Sequence, residues 1–149
     1  MLVKDGDKIV FGNYSLEVAE TPRHTEGCVT YINKEAGCAF TGDTLLVRGC
    51  GRTDFQGGSA DTLYTSVWSR ILSLPDNTTL YPAHDYKSQA ASTVGEQKKL
   101  NPRLTKTREE FVTPMGNLNL PYPKKIDMSL PANKVCGLHQ LPENMAGWV

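Results

Sequence analysis

The chain has 149 residues, 39% of them hydrophobic, with 16 basic side chains balanced by 16 acidic ones. That length suits one domain with a sizeable core. Zero net charge gives no footing for nucleic acid or an anionic membrane surface, and no apolar run nears the ~20 residues a bilayer crossing takes.

The opening, "MLVKDGDKIVFG", has neither the apolar centre of a secretory signal nor the Arg/Ser-rich look of a transit peptide, which points to the compartment of synthesis. Lys8 to Phe11 and Ser15 to Glu20 read as strands around a Gly12-Asn13 turn. Cys28 to Asn33 and Cys38 to Thr41 read as a second strand pair around "KEAG". The glycine-rich stretch "TGDTLLVRGCGRTDFQGGSA" then reads as an irregular loop that carries function rather than packing.

From Asp61 to Leu74 the apolar period becomes helical, with Leu63, Val67, Ile71 and Leu74 on one stripe widened by Tyr64, Trp68 and Leu72. Ser59 suits the N-cap and Pro75 the stop; the aromatic residues are expected in the core. "TTLYPAH" reads as a short strand delivering His84 into a loop, followed by a helix over Ser92 to Leu100. Thr107 to Glu110 has capping-box spacing for a third helix, which Pro114 should kink or end early. From Asn119 on, the chain is rich in Pro and Asn and reads as an extended wrap within the single domain.

The four cysteines, Cys28, Cys38, Cys50 and Cys136, form no CxxC pair. Free thiols, buried or lining a pocket in a reducing compartment, are therefore expected over a zinc ribbon or disulfide framework.

Three polar residues share a topological position. His24, Asp43 and His84 each follow the carboxyl end of a strand, where α/β folds gather ligands in a crevice. Two histidines and a carboxylate suit a mononuclear non-heme iron with open positions, and zinc accepts the same set. Against this stands the ordinary reading of a loop histidine as solvated and of Asp in "TGD" as a turn residue. Thr25 can orient a neighbouring polar group. Arg48 and Arg52 stand among glycines that let a ligand approach, where a guanidinium can clamp a carboxylate or pair with Asp54. Tyr86 can donate a hydrogen bond to a ligand or simply pack.

The stretches "TPRHTEGCVTY", "AFTGDTLLVRGCGRTDFQ", "LYPAHDY", "STVGEQKKLNPRLT" and "NLNLPYPKKIDMSLPANKVCG", taken in order, resemble the carboxyl-terminal portion of the persulfide dioxygenase family, a branch of the metallo-β-lactamase superfamily. "RGCGRTDFQ" and "PAN…CG" are the stretches most particular to that branch. The resemblance implies an α/β fold, a partial αββα sandwich with one sheet largely present and flanking helices. It implies one iron(II), and oxidation of glutathione persulfide by O2 to glutathione and sulfite in mitochondrial sulfide clearance. By motif match, His24 and Asp43 fall on iron ligands, and His84 on a histidine beside the iron rather than bound to it. Arg52, Tyr86 and Asn133 match residues of the glutathione pocket. Members dimerise, so a homodimer is the implied assembly.

Two departures bear on this expectation. The family's HxHxDH motif, source of the remaining iron ligand, has no counterpart here: the chain contains no HxH, and its third histidine, His139, stands in the tail. A site short of one ligand should hold iron weakly, so the resemblance implies a truncated chain with little or no activity in isolation. Arg23 also replaces the glycine of the family's "TPGHT", a source of strain if that position needs a positive φ. A non-catalytic fragment or isoform is the alternative, and a zinc-dependent hydroxyacylglutathione hydrolase-like thioesterase stands last. The family implies the mitochondrial matrix, while the chain's opening lacks the address for it.

Overall fold

The computed structural model describes residues 2–22, 25, 27–54, 58–86, 88–118 and 120–134. The chain separates into two units, Met1–Leu118 and Asn119–Val149.

In the larger unit, strands β1 (Lys8–Phe11), β2 (Tyr14–Glu20), β3 (Val29–Asn33) and β4 (Cys38–Gly42) form an antiparallel meander. The chain then makes a two-stranded ribbon, β5 (Leu45–Leu46) and β6 (Gly49–Cys50), inside the stretch expected to be irregular. A helical crossover brings β7 (Thr79–Pro82) parallel to β4, and β8 (Ser92–Thr93) closes the sheet antiparallel to β7. The order is β1-β2-β3-β4-β7-β8. The expected mixed α/β fold with one sheet and flanking helices is what the structure shows.

Alternation along the strands decides which face is covered. Ala19, Ile32, Ala39 and Leu80 lie on one face and pack with Leu63, Val67, Ile71, Leu72, Val94, Phe111 and Met115 from the helical segments and their ends, and with Leu104 from a turn. Burying each large side chain of this set contributes about 1.5–3 kcal/mol. On the opposite face Phe40 and Tyr81, cross-strand neighbours, stack with ring centroids 5.5 Å apart and keep about two-fifths of their surface exposed (43% and 41%).

Helix α1 (Ala60–Ser66) begins where Ser59 accepts the Thr62 amide, as its N-cap role requires. It continues as a π-helical turn, Val67–Ile71, closed by the Leu72 amide on the Val67 carbonyl. Hydroxyls at a spacing of four supply a physical reason: Thr65, Ser69 and Ser73 each donate to the carbonyl four residues back, competing for the groups an α-helical ladder uses. Leu63, Val67 and Ile71 are fully buried, whereas Trp68 is 36% exposed and so is not the core residue its spacing implied.

Helix α2 (Val94–Leu100) starts two residues later than expected, because Ser92 and Thr93 pair with β7 and Thr93 caps the helix. Helix α3 (Arg108–Gly116) has the expected capping box between Thr107 and Glu110. Pro114 sits inside it, and the helix closes at Gly116, with the Asn117 amide on the Pro114 carbonyl. In the second unit Ile126–Lys134 forms helix α4, through Pro131, where the sequence reading expected extended chain. No helix among the described residues is long and apolar enough to cross a membrane.

Candidate functional site

Strands β2 and β4 both pair antiparallel with β3 and so run the same way, and β7 runs parallel to β4. Their carboxyl ends therefore meet at one edge of the sheet. The loops leaving that edge start at Thr21, Asp43 and Ala83, so topology explains why residues far apart in sequence become neighbours.

Two of the three candidate ligands are brought together there. Gly42 ends β4 at φ +55, a left-handed turn that a β-carbon would strain, and Asp43 follows at once. The Ala83 amide donates to the Gly42 carbonyl at 3.0 Å, which draws the His84 loop alongside. His84 Nδ1 then lies 2.5 Å from Asp43 Oδ1. Both remain open to solvent, with side-chain exposures of 52% for His84 and 28% for Asp43. Tyr86 stacks on His84 with ring centroids 5.8 Å apart and is itself 76% exposed. His24 and Arg23 lie outside the described residues, as do His139 and Cys136.

A buried hydroxyl cluster underlies these loops. Thr21 Oγ1 is 3.0 Å from Thr30 Oγ1 and 3.3 Å from Thr44 Oγ1, and the Thr44 hydroxyl donates to the Thr21 carbonyl at 3.2 Å. All three threonines are essentially inaccessible. The cluster ties the segment after Asp43 to the residue that opens the Pro22 loop. Thr25, farther along that loop, contacts Cys28 instead: its amide donates to Cys28 Sγ at 3.3 Å, and its hydroxyl lies 3.2 Å from the same sulfur. Cys28, Cys38 and Cys50 are free thiols. Burial pushes the Cys50 thiol up, against the opposing pull of the Arg103 guanidinium.

The second part of the site comes from the end of the ribbon. Gly51 approaches Asp43 so closely that a β-carbon on residue 51 would meet the Asp43 carbonyl oxygen at 2.3 Å. Arg52 follows, and its Nε and Nη2 both donate to Asp54, each at 2.7 Å. The hydrogen bond from Arg52 to Asp54 raises the guanidinium further above an already high value, so Arg52 stays charged. Arg48 is not at this end. It occupies the ribbon's tip at φ +51 and bonds Glu96 through Nε (3.1 Å) and Nη2 (2.9 Å). Both arginines thus hold carboxylates of their own chain, as the ion-pair reading of this stretch had it for Arg52. Asn133 lies on α4 in the second unit.

The residues that sequence reasoning passed over are on α2 and at its C-cap. Gln97 and Asn101, both buried, bond one another, and Gln97 also receives the Arg48 amide at 3.2 Å. Two long polar side chains on a helix that also carries Val94 gave a faint signal for this.

The donor pair suits a metal in chemical terms: a carboxylate and an imidazole at a solvent-reachable sheet edge match the preferences of iron and zinc. Among the described residues no group of three or more His, Cys, Asp or Glu side chains gathers.

Comparison with known proteins agrees with this architecture. The model of the metallo-beta-lactamase superfamily matches residues 2–84, more than half of the chain. Human mitochondrial persulfide dioxygenase ETHE1 is 56% identical over 136 residues, covering 91% of this chain. The chain spans 54% of that protein's length. The crystal structure of ETHE1 from Myxococcus xanthus superposes with a TM-score of 0.86 at 48% identity, over 91% of this chain and 60% of that one. The protein TTHA1623, solved in a di-iron-bound form, is 31% identical with a TM-score of 0.58, over 67% of this chain and 46% of its own. Relatives of this kind imply a metal cofactor. With the sheet edge, the Asp43–His84 pair and these matches together, the chain belongs to the metallo-beta-lactamase superfamily.

Proposed function

We propose that this chain carries the sheet-edge part of a persulfide dioxygenase site, specific for glutathione persulfide and O2 and working in sulfide catabolism in the mitochondrion. The observation that carries the reading is the meeting of Asp43, His84 and the Gly51–Arg52 turn at one edge, in a chain 56% identical to a persulfide dioxygenase. The reaction consumes glutathione persulfide, O2 and water and yields glutathione and sulfite with release of protons. Iron(II) supplies the redox chemistry when bound.

The chain's own residues bind and orient. Asp43, with His24 by motif, offers iron its protein ligands. His84 holds the Asp43 carboxylate through Nδ1 and so fixes which oxygen faces a metal. Arg52, its guanidinium plane set by Asp54, receives a carboxylate of the glutathione moiety. Tyr86, exposed beside His84, donates to the substrate; Asn133 is a glutathione contact by motif match alone.

By motif the chain offers iron two ligands, His24 and Asp43, and its 149 residues contain no HxH pair. The isolated chain therefore holds iron weakly and turns over slowly, because each missing ligand removes coordination energy. Anaerobic iron loading followed by O2 uptake with glutathione persulfide tests both statements. Substrate-dependent O2 uptake and sulfite formation at a low rate are expected. Absence of any sulfite with iron in excess would remove the dioxygenase assignment; tight stoichiometric iron with fast turnover would remove the statement of weak binding.

A further inference from the structure

The ribbon that begins after Asp43 and ends at Gly51 returns the chain to Asp43 itself. Its tip is held from outside. Arg48, in the left-handed region at φ +51, reaches Glu96 with two guanidinium nitrogens, and its own amide donates to Gln97 Oε1. Glu96 is braced by the Ser92 hydroxyl at 2.8 Å, and Ser92 in turn receives Gln97 Nε2 at 2.9 Å. Asn101 closes the frame by donating to the Gly49 carbonyl, on the second ribbon strand, at 3.2 Å. Helix α2 thus grips both the tip and one strand of a hairpin whose two ends are the candidate metal residue and the turn before Arg52.

A two-residue ribbon has few ladder bonds of its own and is marginal without support. The close seat of Gly51 on the Asp43 carbonyl tolerates little rearrangement, since backbone meets backbone. From these contacts we infer that Arg48 and Glu96 are positioning residues: through the ribbon, their pairing sets the Gly51–Asp43 contact and so the placement of Arg52 relative to Asp43. This rests on the reading of Arg52 as a glutathione contact; the ribbon's own ordering does not.

Arg48→Gly is the discriminating variant. Glycine relieves the left-handed backbone at residue 48 while removing the side-chain grip, so a loss of global stability is offset and a loss of positioning is not. The full chain and its Arg48→Gly, Arg48→Lys and Glu96→Gln variants are compared by thermal melting, amide hydrogen exchange and calorimetric titration with glutathione. The melting temperature of Arg48→Gly is expected within about 2 °C of the parent. Exchange over residues 49–54 is expected to rise about tenfold or more, with exchange in β2 and β3 unchanged. Glutathione affinity is expected to fall about tenfold, with Arg48→Lys in between. Unchanged exchange over residues 49–54 in both Arg48→Gly and Glu96→Gln overturns the inference. Raised exchange with unaltered glutathione binding, in a protein whose Arg52→Ala variant also binds normally, upholds the ribbon's dependence on α2 and sinks the assignment of Arg52 instead.

Discussion

Gly51 and Asp43 touch through their backbones, the carbonyl oxygen of Asp43 occupying the space where residue 51 would place a β-carbon, 2.3 Å away. No side-chain rotation relieves such a contact, because neither partner in it is a flexible side chain. Gly51→Ala must therefore shift the ribbon end or the Asp43 turn. A destabilisation of about 1–3 kcal/mol is expected, as for overpacking in a dense interior. Urea unfolding measures it, and parent-like stability would show that the turn gives way freely.

Asp43 and His84 divide their labour in the proposed site, and substitution separates the roles. Asp43→Asn removes a ligand and should abolish measurable iron binding. His84→Ala removes the partner that orients the carboxylate, for which a loss of about 10–100-fold in affinity is expected. Competition with a colorimetric iron chelator under anaerobic conditions gives both values. A larger loss for His84→Ala than for Asp43→Asn would mean that the imidazole itself binds the metal.

Glu96 links stability to pH. The Ser92 hydroxyl, then the Arg48 guanidinium, hold its carboxyl below the usual glutamate range. A carboxyl depressed in the folded state contributes stability at and above its ordinary pKa and loses it as pH falls through the lower folded value. Urea midpoints should therefore drop on acidification below the ordinary glutamate range, and Glu96→Gln should flatten that drop while leaving the neutral-pH midpoint lower. A parallel acid limb in the variant would remove Glu96 from the account.

Phe111 anchors α3 on the core. It is 1% exposed and meets Tyr64 of α1 with ring centroids 5.4 Å apart. Phe111→Ala should cost about 3–5 kcal/mol through lost burial and the cavity left behind. Thr107→Ala, which removes the cap of the same helix, should cost about 1 kcal/mol. Equilibrium unfolding ranks the two, and a reversed order would show that α3 is held by its cap rather than its packing.

Local chemistry made much of the fold legible in advance. The Gly12-Asn13 turn between β1 and β2, the Ser59 cap of α1 and the Thr107–Glu110 box of α3 depend on residues within a few positions of one another. The π-helical turn was not legible, because Leu63, Val67 and Ile71 satisfy an apolar stripe whether the ladder closes at four residues or five. The ribbon was hidden among glycines, and α4 behind a Pro-rich composition that it nonetheless tolerates through Pro131.

The residue types and their order were enough to mark Asp43 and His84 as polar groups at strand ends, Arg52 and Asp54 as a pairable couple, and the chain as an α/β fold of this family. These depend on neighbours in sequence and on motif. That Asp43 and His84 stand 2.5 Å apart depends on β7 lying parallel beside β4, a pairing reached only after a helical crossover. That Arg48 faces α2 while Arg52 faces Asp54 depends on the ribbon, whose two-residue turn holds Arg48 at its tip and whose second strand carries the chain back toward Arg52. Alternation and capping act over a few residues, whereas strand pairing and backbone contact join segments across dozens, and it is the latter that assemble the site.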